Sequence, residues 1–203
     1  MLRKIMLFVV VLAVVAVPSF AAVDPGDKAP EFELFGVDYK YHSLEQYADS
    51  EAVVVVFTCN HCPVAKAYED ELVRLGKKYQ EKGIQFLAVN PNPADKVAAD
   101  GFPQMRKRAK EKGFPYPYLY DETQKVARAY GAAVTPHIFV VQYQKHGDER
   151  VPKVVYEGAV DNRHEKPRYL ANALDSILAG EEIEEEKTAQ FGCSVKYRKQ
   201  KQK

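Results

Sequence analysis

Val53-Val54-Val55-Val56-Phe57-Thr58-Cys59-Asn60-His61-Cys62-Pro63, followed by the helix-like run Ala65 to Lys78, decides how this chain is read. Two thiols separated by two residues in the first turn of a helix are able to close on each other. The unpaired backbone N–H groups of a helix start favour a thiolate on the first of them. Cys59 is then the expected nucleophile and Cys62 the cysteine that resolves its mixed disulfide. The same spacing also occurs in half-zinc sites and structural disulfides. Structural zinc normally takes four ligands, however, and here the only other cysteine is Cys193 and no H-x-x-x-H pair exists, so no metal is assigned.

On the N-terminal side, Met1-Leu2-Arg3-Lys4 is basic, Ile5 to Val17 is almost wholly apolar, and Pro18-Ser19-Phe20-Ala21 ends in small residues. This is the pattern of a secretory signal peptide over residues 1–21, too short for a comfortable membrane span of about 20 residues. The expectation is export to a periplasmic or extracellular space, with no stable membrane insertion after cleavage. A cysteine pair persists oxidised in such a compartment. The roughly 180 residues that follow suit one domain, read as 22–180, with a charged C-terminal tail at 181–203 that carries Cys193. The net charge of +1, with 13 tyrosines and 10 phenylalanines, excludes a disordered chain and a nucleic-acid footprint. The acidic block Glu181 to Glu186 and the basic block Lys196 to Lys203 read as solvated.

Apolar runs predict strands at Val53 to Phe57, Ile84 to Val89, Tyr116 to Leu119, His137 to Val141 and Lys153 to Tyr156. Helical periodicity falls at Ala65 to Lys82, Gln104 to Lys112, Thr123 to Tyr130 and Lys166 to Leu178, and glycines close several of these segments. The order predicts an α/β sandwich with a mixed central sheet buried on both faces. Asn90-Pro91-Asn92-Pro93 opens a stretch without apolar periodicity up to Phe102-Pro103, read as a surface loop that could border the site. Asp121 or Thr123 is expected to cap the helix after it, and Asp161-Asn162-Arg163 to form a turn.

A strand, a C-x-x-C at the next helix start and Thr135-Pro136 ahead of a late strand together resemble the thioredoxin-like superfamily. More narrowly, Phe57 to Pro63, Tyr118 to Gln124, Tyr130-Gly131, Thr135-Pro136 and Gly192 to Lys196 are similar to the peroxiredoxin-like redoxins of the alkyl hydroperoxide reductase/thiol-specific antioxidant group. The resemblance implies a thioredoxin-like three-layer sandwich with an extra helix inserted before the cis-Pro half. It implies that Pro136 is cis and faces the dithiol, and that the backbone of Thr135 docks a substrate peptide. His61, in its cationic form, is expected to stabilise the Cys59 thiolate. Thioredoxins carry a buried acid six places before the first cysteine; here that place is Val53, and Glu51 is more suited to the surface. Deprotonation of Cys62 then depends on water, His61 or a group the sequence does not place.

The implied activity is an exported thiol-disulfide oxidoreductase, exchanging electrons with protein dithiols and disulfides and with a redox-recycling protein, without a cofactor. One alternative is a thiol peroxidase with Cys62 or Cys59 as the peroxidatic cysteine. The chain lacks the P-x-x-x-T-x-x-C loop for it, and Arg128 and Arg163 orient peroxide only by residue type. Another is a copper carrier resembling the Sco proteins, with Cys59, Cys62 and His137 as ligands. Cys193, left over, has three readings: it resolves a mixed disulfide or sulfenic acid, it bridges two chains, or it packs between Phe191 and Val195.

Overall fold

The computed structural model describes residues 23–147, 149–163 and 168–199; the signal segment at 1–21 and the predicted helix start at Lys166 lie outside them. The elements are β1 (Glu33–Gly36), β2 (Tyr41–Ser43), β3 (Ala52–Phe57), α1 (Pro63–Gln80), β4 (Ile84–Asn90), α2 (Phe102–Lys112), β5 (Tyr118–Tyr120), α3 (Lys125–Tyr130), β6 (Val134–Thr135), β7 (His137–His146), β8 (Glu149–Gly158), α4 (Tyr169–Ala179) and β9 (Cys193–Ser194). Seven strands make one mixed sheet in the order β2-β1-β5-β4-β3-β7-β8, and β6 pairs with β9 apart from it. Strands β3, β4 and β5 run parallel, and β7 joins β3 antiparallel. No helix among the described residues is long and apolar enough to cross a membrane.

Every residue of β3 is buried, because it lies inside the sheet, between β4 and β7, with helices on both sides. Its period-two alternation sends Val53, Val55 and Phe57 into a core with Val126, Ala127 and Tyr130 of α3. Val54 and Val56 point the other way, against Leu72, Leu75 and Tyr79 of α1 and Leu170 and Leu174 of α4. This is the three-layer thioredoxin-like sandwich, and α2 is the extra helix before the cis-Pro half. Asp121 accepts from the N–H of Ala127 at 2.8 Å and so caps α3, as expected.

Three parts of the chain differ from their sequence expectation. Strands β1 and β2 have mixed burial and no continuous apolar run, so they carry no strand signal; their pairing with β5 and with each other makes them. The β7–β8 hairpin runs well beyond Val141 and Lys153, where backbone pairing continues although the side chains turn to solvent. The stretch from Asn90 to Phe102 is a surface loop only in its middle, Ala94 to Ala99; at its ends Asn90, Asn92 and Asp100 are fully buried.

The tail is the largest departure, because the expected solvated block runs back across the domain. Its side chains are exposed or half-buried, Val195 excepted, while its backbone is paired at several points. Glu157 donates its N–H to the carbonyl of Glu186, and Thr188 returns one to Glu157. The Thr188 hydroxyl lies against Gly158, where a Cβ would collide with it, and accepts from the N–H of Ala159 at 3.0 Å. Beyond β9, Lys196 donates its N–H to Asn92 at 2.8 Å, Tyr197 its hydroxyl to the Ala132 carbonyl at 2.7 Å, and Arg198 its N–H to Gln124 at 2.7 Å. Charged blocks have few apolar side chains to bury, and here backbone and polar anchors replace them.

Candidate active site

The helix following the cysteine motif starts at Pro63, not within the motif. A proline at the first helical position has no N–H to leave unpaired and a φ already suited to the helix. Cys62 is therefore the N-cap, and its Sγ accepts from the N–H of Ala65 at 3.3 Å. The helix-start stabilisation expected for Cys59 thus falls on Cys62.

Cys62 is disulfide-bonded to Cys193, 131 positions further along the sequence, with the two Cα atoms 5.9 Å apart, while Cys59 is a free buried thiol. The bonded pair is therefore not the two motif cysteines. Cys193 reaches Cys62 because β9 pairs antiparallel with β6, setting Cys193 opposite Thr135 and Ser194 opposite Val134. The 192 position is glycine because a Cβ there would run into the Thr135 carbonyl, 2.7 Å from its carbon. Cys193 is thus bonded within the chain, to a cysteine of the motif.

Thr135-Pro136 is a cis peptide bond, as the resemblance implied. Thr135 touches both motif sulfurs: its Oγ1 is 3.2 Å from Cys59 Sγ, and its carbonyl oxygen is 3.3 Å from Cys62 Sγ. The backbone expected to receive a substrate peptide instead receives β9.

Asp100 is a buried acid beside the motif. Its Oδ1 accepts the N–H groups of Asn60 at 2.8 Å and His61 at 3.1 Å. Its Oδ2 accepts Nδ1 of His61 at 2.5 Å and the amide of Asn92 at 2.9 Å. A buried carboxyl with four donors is satisfied, and it holds both the backbone and the imidazole of the motif in place. Nothing in the sequence marks Asp100 beyond its position in a Pro- and Asn-rich stretch, since the contact joins residues 39 apart.

Burial pushes the Cys59 thiol up from its usual range, and the charge on Asp100 adds to it. The Thr135 hydroxyl and the N–H groups of Cys62 and His61 act in the opposite direction without overcoming the first two. Cys59 is thus held as a thiol at neutral pH. The two cysteines of the motif, three positions apart, have different surroundings: Cys59 is buried beside a carboxylate, and Cys62 caps a helix start.

Among the described residues, Cys59, His61 and Asp100 form a group whose ligand-type atoms lie within 4.8 Å of one another. They are the residues that could hold a metal, although His61 Nδ1 and both Asp100 oxygens already serve hydrogen bonds. His137, the histidine expected for copper, has its Nε2 2.5 Å from Glu157 and its Nδ1 accepting the Ala133 N–H at 3.4 Å. Both its nitrogens are engaged away from the sulfurs. Of the residues suggested for peroxide, Arg128 donates to the Arg198 carbonyl on the tail, and Arg163 stacks 4.0 Å over the Phe191 ring. Asp161 to Arg163 is the expected turn, closed by the Arg163 N–H on Asp161 at 2.7 Å.

The sequence profile of the AhpC/TSA family matches residues 25–146. Among solved structures, an uncharacterized conserved protein from Geobacillus kaustophilus is 38% identical, covering 89% of this chain and 94% of its own, with a TM-score of 0.78. A hypothetical protein from Sinorhizobium meliloti is 28% identical, covering 88% of this chain and 97% of its own, also at 0.78. A structure from Chlorobium tepidum described as a thiol:disulfide interchange protein shares the fold at 22% identity, covering 77% of this chain and 99% of its own, with a TM-score of 0.57. No curated protein matches the chain.

Proposed function

The chain is a redoxin belonging to the AhpC/TSA family, and from that premise we propose that it is a thiol-disulfide oxidoreductase acting on protein dithiols and disulfides through three sulfurs. One observation carries this reading. Cys62, the helix-capping sulfur, is bonded to Cys193 on one side and flanked by the free thiol of Cys59 on the other, with Thr135 in contact with both motif cysteines.

The chemistry follows from the two environments. When reduced, Cys62 is the thiolate, since the helix start stabilises its charge. It attacks one sulfur of a client disulfide, forms a mixed disulfide, and releases the other client sulfur as a thiolate. Cys59 then gives its proton to His61, oriented by Asp100, and attacks Cys62 Sγ, so that the client leaves fully reduced. Cys193 exchanges next: its thiolate attacks Cys62, the Cys59–Cys62 bond breaks, and Cys59 regains a proton. The product is the bond present in the structure, and two electrons have passed to the client. A dithiol protein restores the reduced form, and every step is reversible. The leader-like segment at 1–21 supports export to an oxidising space, where such a cycle operates.

The test is turnover of insulin disulfides with dithiothreitol as electron source, alongside mass mapping of trapped mixed disulfides. Cys62→Ser abolishes turnover, Cys59→Ser lets client adducts accumulate on Cys62, and Cys193→Ser leaves Cys59–Cys62 as the oxidised form. An adduct found on Cys59 instead of Cys62 would overturn the assignment.

The Cys62–Cys193 bond also favours a second reading, a peroxidase. Peroxide oxidises the Cys62 thiolate to a sulfenic acid, releasing water or hydroxide, and the Cys193 thiol condenses with it to the disulfide and a second water. Hydrogen peroxide consumption faster than insulin reduction would select this reading.

A further inference from the structure

The seat of the C-terminal strand has a shape that names its occupant, and we propose that it is a docking edge for an extended protein segment of the type aromatic–Gly–Cys–x–apolar. The chain's own Phe191-Gly192-Cys193-Ser194-Val195 is the tethered occupant. The proposal rests on the oxidoreductase reading and specifies its client.

Cys59 approaches Cys62 from within the motif, so a client sulfur is left the side where Cys193 Sγ now stands. The segment carrying it must then take the edge of β6, because β9 sits there with Cys193 opposite Thr135. In an extended strand, positions 191, 193 and 195 face one way and 192 and 194 the other. Phe191 lies edge-on to Tyr68 at 5.8 Å under the Arg163 guanidinium, and with Pro63, Val64 and Ala67 it walls a cleft of about 680 Å³. Val195 is nearly covered as well. Position 192 faces the Thr135 carbonyl, where no Cβ fits. Backbone pairing accepts any sequence, so selectivity falls to these three positions. The Val195 N–H also bonds the Ala133 carbonyl at 3.0 Å, extending the register a client strand would copy.

The seat holds one strand at a time, so tail and client exclude each other. While the client is bonded to Cys62 the tail is displaced, Cys193 is out of reach, and Cys59 alone releases the client. Once the client sulfur has left, the tail returns and Cys193 closes on Cys62. This divides the work of the two partner sulfurs by geometry.

The test uses the full chain carrying Cys59→Ser and Cys193→Ser, and a synthetic peptide Gln-Phe-Gly-Cys-Ser-Val-Lys with its cysteine activated as a thionitrobenzoate disulfide. Cys62 attacks the peptide sulfur, the thionitrobenzoate thiolate leaves and is read by absorbance, and the adduct is verified by mass. The peptide is expected to react roughly tenfold or more faster than the same peptide with valine for glycine, with alanine for phenylalanine in between. As a second variant, Gly192→Val in the chain with all three cysteines displaces its own tail, and after reduction it captures the glycine peptide severalfold faster than the parent chain. One rate for all peptides, or no gain from Gly192→Val, overturns the docking edge and leaves the oxidoreductase reading standing. A Cys62 inert to every activated peptide overturns both. A parent chain recovered as a covalent dimer joining Cys62 of one copy to Cys193 of another, closed to peptide, also overturns the proposal, in favour of a second copy as occupant.

Discussion

The segment from β3 through α1 and the tail from Glu181 to Lys199 meet at one disulfide, yet they are held by different forces. In the first, β3 is wholly buried and α1 sets Leu72, Leu75 and Tyr79 into the core, so its order comes from apolar area removed from water. In the second, Val195 alone is a buried side chain, and order comes from strand pairing, polar anchors and the Cys62–Cys193 bond. Mutations in the first segment should therefore act on folding, and those in the second on redox pairing and access.

The strongest attack on this contrast is at the shared sulfur. Cys62→Ser is expected to remove all disulfide exchange, measured as insulin reduction, while the domain stays folded by circular dichroism. Loss of the fold instead would make the bond, and not the core, the source of order. Next in size, Leu75→Ala should destabilise the reduced protein by about 2–5 kcal/mol in urea unfolding and leave the Cys62–peptide exchange rate per folded molecule unchanged.

Cys193→Ser sharpens the other side. The bond closes a loop of 131 residues, and its loss should cost the oxidised protein about 2–5 kcal/mol, with no effect on the reduced protein. A Cys193→Ser penalty of equal size under reducing conditions would mean that the tail packs like core. Smaller still is the effect of Asp100→Asn. Removing that charge lowers the alkylation midpoint of Cys59 in an iodoacetamide rate–pH profile, because Asp100 acts to raise it. Since the folded-state value of Cys59 is the raised one, its contribution to stability is complete below the ordinary thiol range and is lost as pH climbs through that range toward the folded value. A midpoint unmoved or higher in Asp100→Asn would break the electrostatic distinction between the two motif cysteines.

The contrast also accounts for what could be read in advance. Val53 to Phe57 and the helix after Pro63 state their structure locally, through β-branched runs and a 3.6-residue apolar period, and with Thr135-Pro136 they were enough for the fold and for the sulfurs of the site. The helix starts at Pro63, so Cys62 and not Cys59 is its cap, and on the proposed mechanism the favoured thiolate is Cys62. Asp100, the pairing of Cys193 and the diversion of His137 to Glu157 were not legible, because each depends on a partner far along the chain.

The sequence by itself determined a thioredoxin-like α/β sandwich, a cis proline beside two cysteines, and thiol chemistry as the subject. The α/β order and the thiols follow from local periodicity and residue type, which act over a few neighbouring positions; the thioredoxin-like sandwich and the cis proline follow from the resemblance that the combined motifs carry. Tertiary structure alone decided which sulfur caps the helix, which one it bonds, which carboxyl orients His61, and that a charged tail fills the edge beside the site. Such choices belong to contacts between distant segments, where backbone groups with no side-chain signature supply the pairing.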